Sequence, residues 1–216
     1  MSEFPKTSLN QVKRLPKRGQ YDSETIYKIV DEALICHVGF VDREVPFVIP
    51  TIHARIDDTV YFHGAVANRM MKHIESGNPV CITATLIDGI VFARSVFHHS
   101  MNYRSAMLFG KGRKVESAEE KNAALFAVSE HIAKGRWDEA RIPSPKEMDA
   151  TLVVAVDIES ASAKVRTGPA IDDEEDYSLP VWAGVMPIQL QFMQPERDER
   201  LAGDITVPEY IKQYKR

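Results

Sequence analysis

TVYFHGAVANRMMKHIESGNPVCITATLIDGIVFARSVFHHSMNYRSAMLFGKGRKV, residues 59–115, is the stretch whose reading decides the fold. The β-rich run TVYFHG leads into a helix predicted over 66–76, with Met70, Met71 and Ile74 on one face and Gly77 placed as its stop. PVCITATL (79–86) and IVFARSVF (90–97) then flank Asp88-Gly89. That pair predicts a type I′ hairpin turn, because both central residues need positive φ. A third extended stretch follows over 101–115. Strands joined as hairpins, without one helix between each pair, disfavour a parallel dinucleotide-binding sheet.

The same pattern continues outward. Asp22 or Ser23 caps a helix over 22–33, whose Ile26, Ile29, Val30 and Ala33 fall at i, i+3, i+4, i+7. LICHVGFV (34–41), VPFVIPTIHA (45–54) and the run near 58–63 read as a three-stranded meander. Ser117-x-x-Glu120 is a capping box opening a helix over 117–133, with Leu125, Val128 and Ile132 as its buried face. Ser144-Pro145-x-Glu147 starts a shorter helix. TLVVAVDI (151–158), SASAKVRT (160–167) and LPVWAGVMPI (179–188) are further strands, and the acidic run 172–176 reads as a solvated loop. The fold expected is mainly β, an antiparallel β-barrel with flanking helices, because closure removes exposed sheet edges. Residues 1–20 read as a basic arm, 21–190 as the barrel domain and 191–216 as a tail with one helical turn in PEYIKQY.

With 216 residues, 44% hydrophobic and 27% charged, the chain has ordinary globular composition and core enough to need neither disulfides nor a structural metal. A net charge of −4 offers no global field for nucleic acid or an anionic membrane, so any anion site is local. No apolar stretch approaches membrane-spanning length and no secretory signal opens the chain. Cys36 and Cys81 read as inert core thiols of a cytoplasmic protein.

G-x-G-x-x-G is incomplete at Gly110-x-Gly112, and P-loop, G-x-S-x-G, H-E-x-x-H and C-x-x-C motifs are absent. The seven histidines are scattered, which suits backbone-bonded or pocket-lining histidines and gives no metal site. Arg69 and Lys72, three apart at a helix start, could cradle a phosphate or could form a solvated helix face. Residues 97–105 are crowded with aromatic and hydrogen-bonding side chains, as in the lining of a site or a structural polar network.

YDSETIYKIVDEALICHVGFV, VPFVIPTIHAR, the 59–115 block and LPVWAGVMPI together span about 18–190. They resemble the pyridoxamine 5′-phosphate oxidase-related, FMN-binding split-barrel family, in its nitroimidazole-resistance-like branch. The resemblance implies an antiparallel split barrel, FMN as cofactor, and a homodimer with FMN at the interface. By position it implies that Ile49, Pro50, Thr51 and Ile52 run along the isoalloxazine edge. His63, Gly64, Asn68, Arg69 and Lys72 would hold the phosphate, and Tyr103, Arg104 and Ser105 would reach the flavin from the barrel. The chain has Asn68-Arg69-Met70 where pyridoxamine phosphate oxidases show Ser-Arg-Lys, and Arg69 where nitroimidazole-resistance proteins place a histidine. The implied function is an FMN-dependent oxidoreductase using a small-molecule electron donor or acceptor, with no catalytic side chain assigned. A non-catalytic flavin-binding or sensor protein, and a haem-binding relative ligated by a strand histidine, are the alternatives. Trp182 is expected near the dimer interface, an aromatic in an apolar late strand.

Overall fold

The computed structural model describes residues 2–215. Its strands are β1 (Gly19–Gln20), β2 (Cys36–Asp42), β3 (Val45–Thr51), β4 (Ala54–Ile56), β5 (Thr59–Ala65), β6 (Pro79–Phe92), β7 (Ser100–Lys114), β8 (Thr151–Asp157), β9 (Ser160–Arg166) and β10 (Gly184–Pro187). The helices are α1 (Ser23–Glu32), α2 (Arg69–Glu75), α3 (Ala118–Ile132), α4 (Arg136–Glu139), α5 (Pro145–Ala150) and α6 (Glu209–Lys212). Strand order is β3-β2-β6-β7-β8-β5-β4, with β9 on β7, β1 on β9 and β10 on β6, all antiparallel. This is the split barrel with flanking helices that the sequence implies. No helix among the described residues is long and apolar enough to cross a membrane.

The long strands β6 and β7 are its spine. β7 pairs with β9 over Tyr103–Phe109 and then passes to β8 at Gly112–Lys114. The change of partner happens at Gly110-x-Gly112. A Cβ on Gly110 would collide with the Asp157 carbonyl, and one on Gly112 with Ile74 of α2. Bare backbone at these two positions lets β8 and α2 close over the strand. Inside lie Ile26, Ile29 and Val30 of α1 with Met70, Met71 and Ile74 of α2, all at most 2% exposed. Each contributes about 1.5–3 kcal/mol by burial.

Several expectations are corrected. Asp88-Gly89 is no turn: β6 runs through it to Phe92, with a register shift between Ile87 and Gly89. Gly89 is needed because β10 passes there, and an added Cβ would stand 3.0 Å from the Met186 carbonyl. The predicted strand 90–97 therefore ends early, and the chain reverses over 93–99 through a 3-10 turn at Val96–His98. α2 begins at Arg69 and not at 66, because Asn68 caps it by accepting from the Met71 N–H. Ser117 caps α3, but the Glu120 carboxylate is drawn to Arg113 and Tyr61. The buried face of α3 is Ala124 and Val128, while Ile132 is exposed. Within the acidic run, Asp172 is buried: it accepts from the Arg94 and Ser95 N–H groups and pairs with the Arg94 guanidinium. In the segment 1–20, buried Asn10 donates to the Pro5 and Ala161 carbonyls, fastening the chain against β9.

Candidate functional site

Two groups of the implied site residues emerge. The first is spread over β3, the end of β5 and the start of α2, which touch through Arg69 over Phe47 and Met71 beside Gly64. Ile49 packs partly on the core, while Pro50 and Ile52 are exposed and Thr51 half-buried, opposite Val38, His37 and Cys36 of β2 for residues 49–51. His63 and Gly64 lie near the end of β5, and Gly64 lets the Met71 side chain approach to 3.3 Å of where a Cβ would sit. The Arg69 guanidinium rests 4.6 Å over the Phe47 ring and 3.9 Å from Asp42, with its side chain 59% exposed. Lys72 is exposed one turn on. The group is cationic, open and backed by an aromatic wall.

The second group lies on β7. Tyr103 and Ser105 sit opposite Arg166 and Lys164 of β9. Arg104 points the other way, donating to Glu32 of α1 at 2.6 and 2.8 Å and to Asp88 of β6 at 2.8 Å. These bonds hold the Glu32 carboxyl below its ordinary value and raise the arginine further. Glu32, Asp88 and Arg104 line an open cleft of about 790 Å³ that Pro187, Ile188, Leu190 and Phe192 also line. Two strands, β2 and β6, separate β3 from β7, about 14 Å at ordinary strand spacing. Within the sheet of one protomer, Ile49–Ile52 therefore stand apart from Tyr103 and Ser105.

Register exposes a feature that single-residue reading missed. Cross-strand partners share a face, so Val48, Gly39 and Cys81 lie in one row, continued by Phe109, and Pro50, His37 and Thr83 in the next, continued by Met107. Val48 is 67% and Met107 44% exposed on this apolar outer face, and a cavity of about 530 Å³ opens there beside Gly39 and Leu9. Trp182 is 70% exposed and tilted against Phe92.

The histidines divide by their hydrogen bonds. His53 is buried with Nε2 2.9 Å from the Val30 carbonyl, its ring 4.7 Å from that of His131, whose Nε2 meets the Ala33 carbonyl. His73 and His99 meet backbone carbonyls, and His98 meets Asp173 at 3.2 Å. His37 and His63 make no hydrogen bond among the described residues, and both are exposed. Part of the His63 ring reaches solvent, but protein atoms crowd the rest, and this partial desolvation pulls its pKa down. Burial pushes the Cys36 thiol up to about 12 and the Cys81 thiol up as well, so neither is a ready nucleophile.

The family model for pyridoxamine 5′-phosphate oxidase matches residues 22–165. The chain belongs to the pyridoxamine 5′-phosphate oxidase family. Within the solved structures it is similar to one described as the flavocytochrome Anf3 from Azotobacter vinelandii, with 40% identity, 99% of each chain covered and a TM-score of 0.92. It is also similar to the FAD and haem binding protein from Mycobacterium smegmatis, at 28% identity over 91% of this chain and 96% of that one, TM-score 0.86. A structure described as a 5-nitroimidazole antibiotic resistance protein from Bacteroides thetaiotaomicron shares 29% identity, covering 67% of this chain and 84% of its own, TM-score 0.58. No match is found among curated proteins. The last structure supports the nitroimidazole-resistance-like branch, while the two with near-complete coverage also span the segments beyond the family match.

Proposed function

We propose that this family member is a flavin-binding redox protein that works as a homodimer and also carries haem. The observation that supports it most is the full-length similarity, at 40% identity, to a flavocytochrome. The flavin phosphate would lie against Arg69 and Lys72, with Gly64 and Asn68 beside them and the ring along Ile49–Ile52. This is the portion shared by FMN and FAD, so the FMN expectation holds or fails on analysis of the released cofactor. When bound, the flavin supplies hydride or electron transfer, and none of the chain's side chains has to act as a nucleophile. The chain's task is to hold the phosphate, wall the ring and limit solvent.

The apolar outer face of β3, β2 and β6 suits a second copy of the chain. Tyr103 and Ser105 would then complete the partner's site, since within one protomer they stand too far from β3. Haem ligation needs an imidazole nitrogen that is not already committed. His37 and His63 have both ring nitrogens without a hydrogen bond among the described residues, and His37 lies on the apolar face. The electron donor would be a small molecule such as a reduced nicotinamide, and the free thiols suit a cytoplasmic setting.

The absorbance spectrum of the purified protein tests this directly. A flavin band near ~450 nm and a Soret band near ~410 nm are expected, from the chemistry of the two groups. Acid release and chromatography identify FMN or FAD, and His37→Ala and His63→Ala show which histidine carries the Soret band. Protein that is colourless as purified and takes up neither group on titration overturns the reading.

A further inference from the structure

The chain carries −4 overall, yet residues 10–21 and 160–171 contain Lys13, Arg14, Lys17, Arg18, Lys164 and Arg166 and no carboxylate. The fold places these stretches together, pairing Gly19 with Lys164 and Gln20 with Ala163. Among the described residues none of the six cations is in an ion pair.

Arg166 is the most telling. It is 5% exposed, and among the described residues its guanidinium donates to the Asn102 side chain and the Gly168 and Pro169 carbonyls, all uncharged. Its Nε has no hydrogen-bond partner among the described residues. Burial and the neighbouring Arg18 both work against its charge. A buried cation without a counter-ion is costly, and a second cation beside it adds to the cost. Lys164 shares the outward face of β9 with Arg166, two residues away, and Ser105 lies opposite it. Lys13, Arg14, Ser105, Ser162 and Lys164 bound a cavity of about 220 Å³.

We infer that this cavity and Arg166 form an anion-binding site for a phosphate-bearing ligand, separate from Arg69 and Lys72. Several cations with two hydroxyls fit a multiply charged tetrahedral oxyanion better than one flat carboxylate. The diphosphate of a bound dinucleotide and a free polyphosphate share this chemistry. The site does not depend on the flavin reading.

The test uses the full chain and Arg18→Gln, Lys164→Gln and Arg166→Gln, with Lys146→Gln on exposed α5 as control. Arg166→Gln removes buried hydrogen bonds and can fail to fold, so the two surface variants decide. Each protein is acid-extracted for phosphate-bearing ligands, and its melting temperature is titrated with inorganic pyrophosphate. One supporting result is a co-purified phosphate-bearing ligand other than the flavin whose occupancy falls at least tenfold in Arg18→Gln and Lys164→Gln but not in Lys146→Gln, while flavin content stays as in wild type. That result assigns the site to the diphosphate of a second resident nucleotide. The other is wild-type protein without such a ligand that pyrophosphate stabilises, with at least tenfold weaker response in the two variants. That result assigns it to a free polyphosphate. Ligand content and pyrophosphate response equal in wild type and both variants overturn the inference, whatever the protein's colour.

Discussion

Arg104 Nη1 donates to Glu32 Oε2 at 2.6 Å, tying the middle of β7 to the last residue of α1. The same guanidinium reaches Asp88, so its donors are committed within the protomer. Arg104 was implied to reach the flavin, and its geometry makes it a structural tie. Arg104→Met leaves two half-buried carboxylates facing each other and should cost about 1–2 kcal/mol, discounted for solvent access. The arginine's hydrogen bond depresses the Glu32 pKa on folding. Its contribution is therefore present above the unfolded carboxylate value near ~4.3 and is lost as pH falls through the folded one. Urea melts at pH 7 and below pH 4 should show a large difference between wild type and variant at the first and a shrinking one at the second.

Gly110 and Gly112 give a sharper packing test. Gly112→Ala drives a methyl into the side chain and carbonyl of Ile74, and Gly110→Ala into the Asp157 carbonyl. Neither neighbour can yield without moving α2 or β8, so each variant should lose about 2–3 kcal/mol or more. Gly203→Ala meets nothing within 4 Å and should stay within about ±0.5 kcal/mol. Equal denaturation midpoints for all three would refute the close-approach account of the strand crossing.

Those glycines show what the sequence displayed and what it hid. Alternation in LICHVGFV and the 3.6 period of Ile26, Ile29 and Val30 report burial directly, so strands and helices were legible. Asp88-Gly89 carries the local signature of a turn, but Gly89 answers a tertiary demand, the passage of β10, which no local rule contains. Asp172 looked like one of five solvated acids because its partner Arg94 lies 78 residues away. At the candidate site, the cations of α2 were visible from spacing. The apolar outer face and the β9 cations emerge only from strand register, which brings together residues far apart in the chain.

Asp172 itself yields a prediction about order. Burial pushes its carboxyl up, but the Arg94 and Ser95 N–H groups and the Arg94 guanidinium hold it below its ordinary value. A depressed pKa means the anchoring is present above the unfolded value and fails as pH falls through the folded one. Asp172→Asn should therefore loosen residues 94–99, which carry the highly exposed Val96 and Phe97. Hydrogen exchange at Arg94 and Ser95 should quicken at least tenfold at pH 7, and in wild type the protection of these amides, taken relative to the intrinsic exchange rate at each pH, should fall on acidification. Unchanged exchange in the variant would show that the loop holds without its buried acid.

Arg69 provides the decisive site experiment. Its side chain is 59% exposed, and among the described residues its polar and ring contacts are Phe47 and a long, solvent-screened approach to Asp42, so Arg69→Ala should change stability by no more than about 0.5 kcal/mol. If it holds the flavin phosphate, losing one charge-assisted contact to a partly desolvated dianion costs about 2–4 kcal/mol. At ~1.4 kcal/mol per tenfold, flavin affinity should fall ~30- to 1000-fold. Arg43→Ala, in the exposed turn between β2 and β3, should keep wild-type affinity. Arg104→Met should sit between them, less stable but still flavin-competent, because its donors face Glu32 and Asp88. Flavin titration with circular dichroism on all three variants separates the roles. Equal flavin affinities for Arg69→Ala and Arg43→Ala would return Arg69 to a solvated helix face.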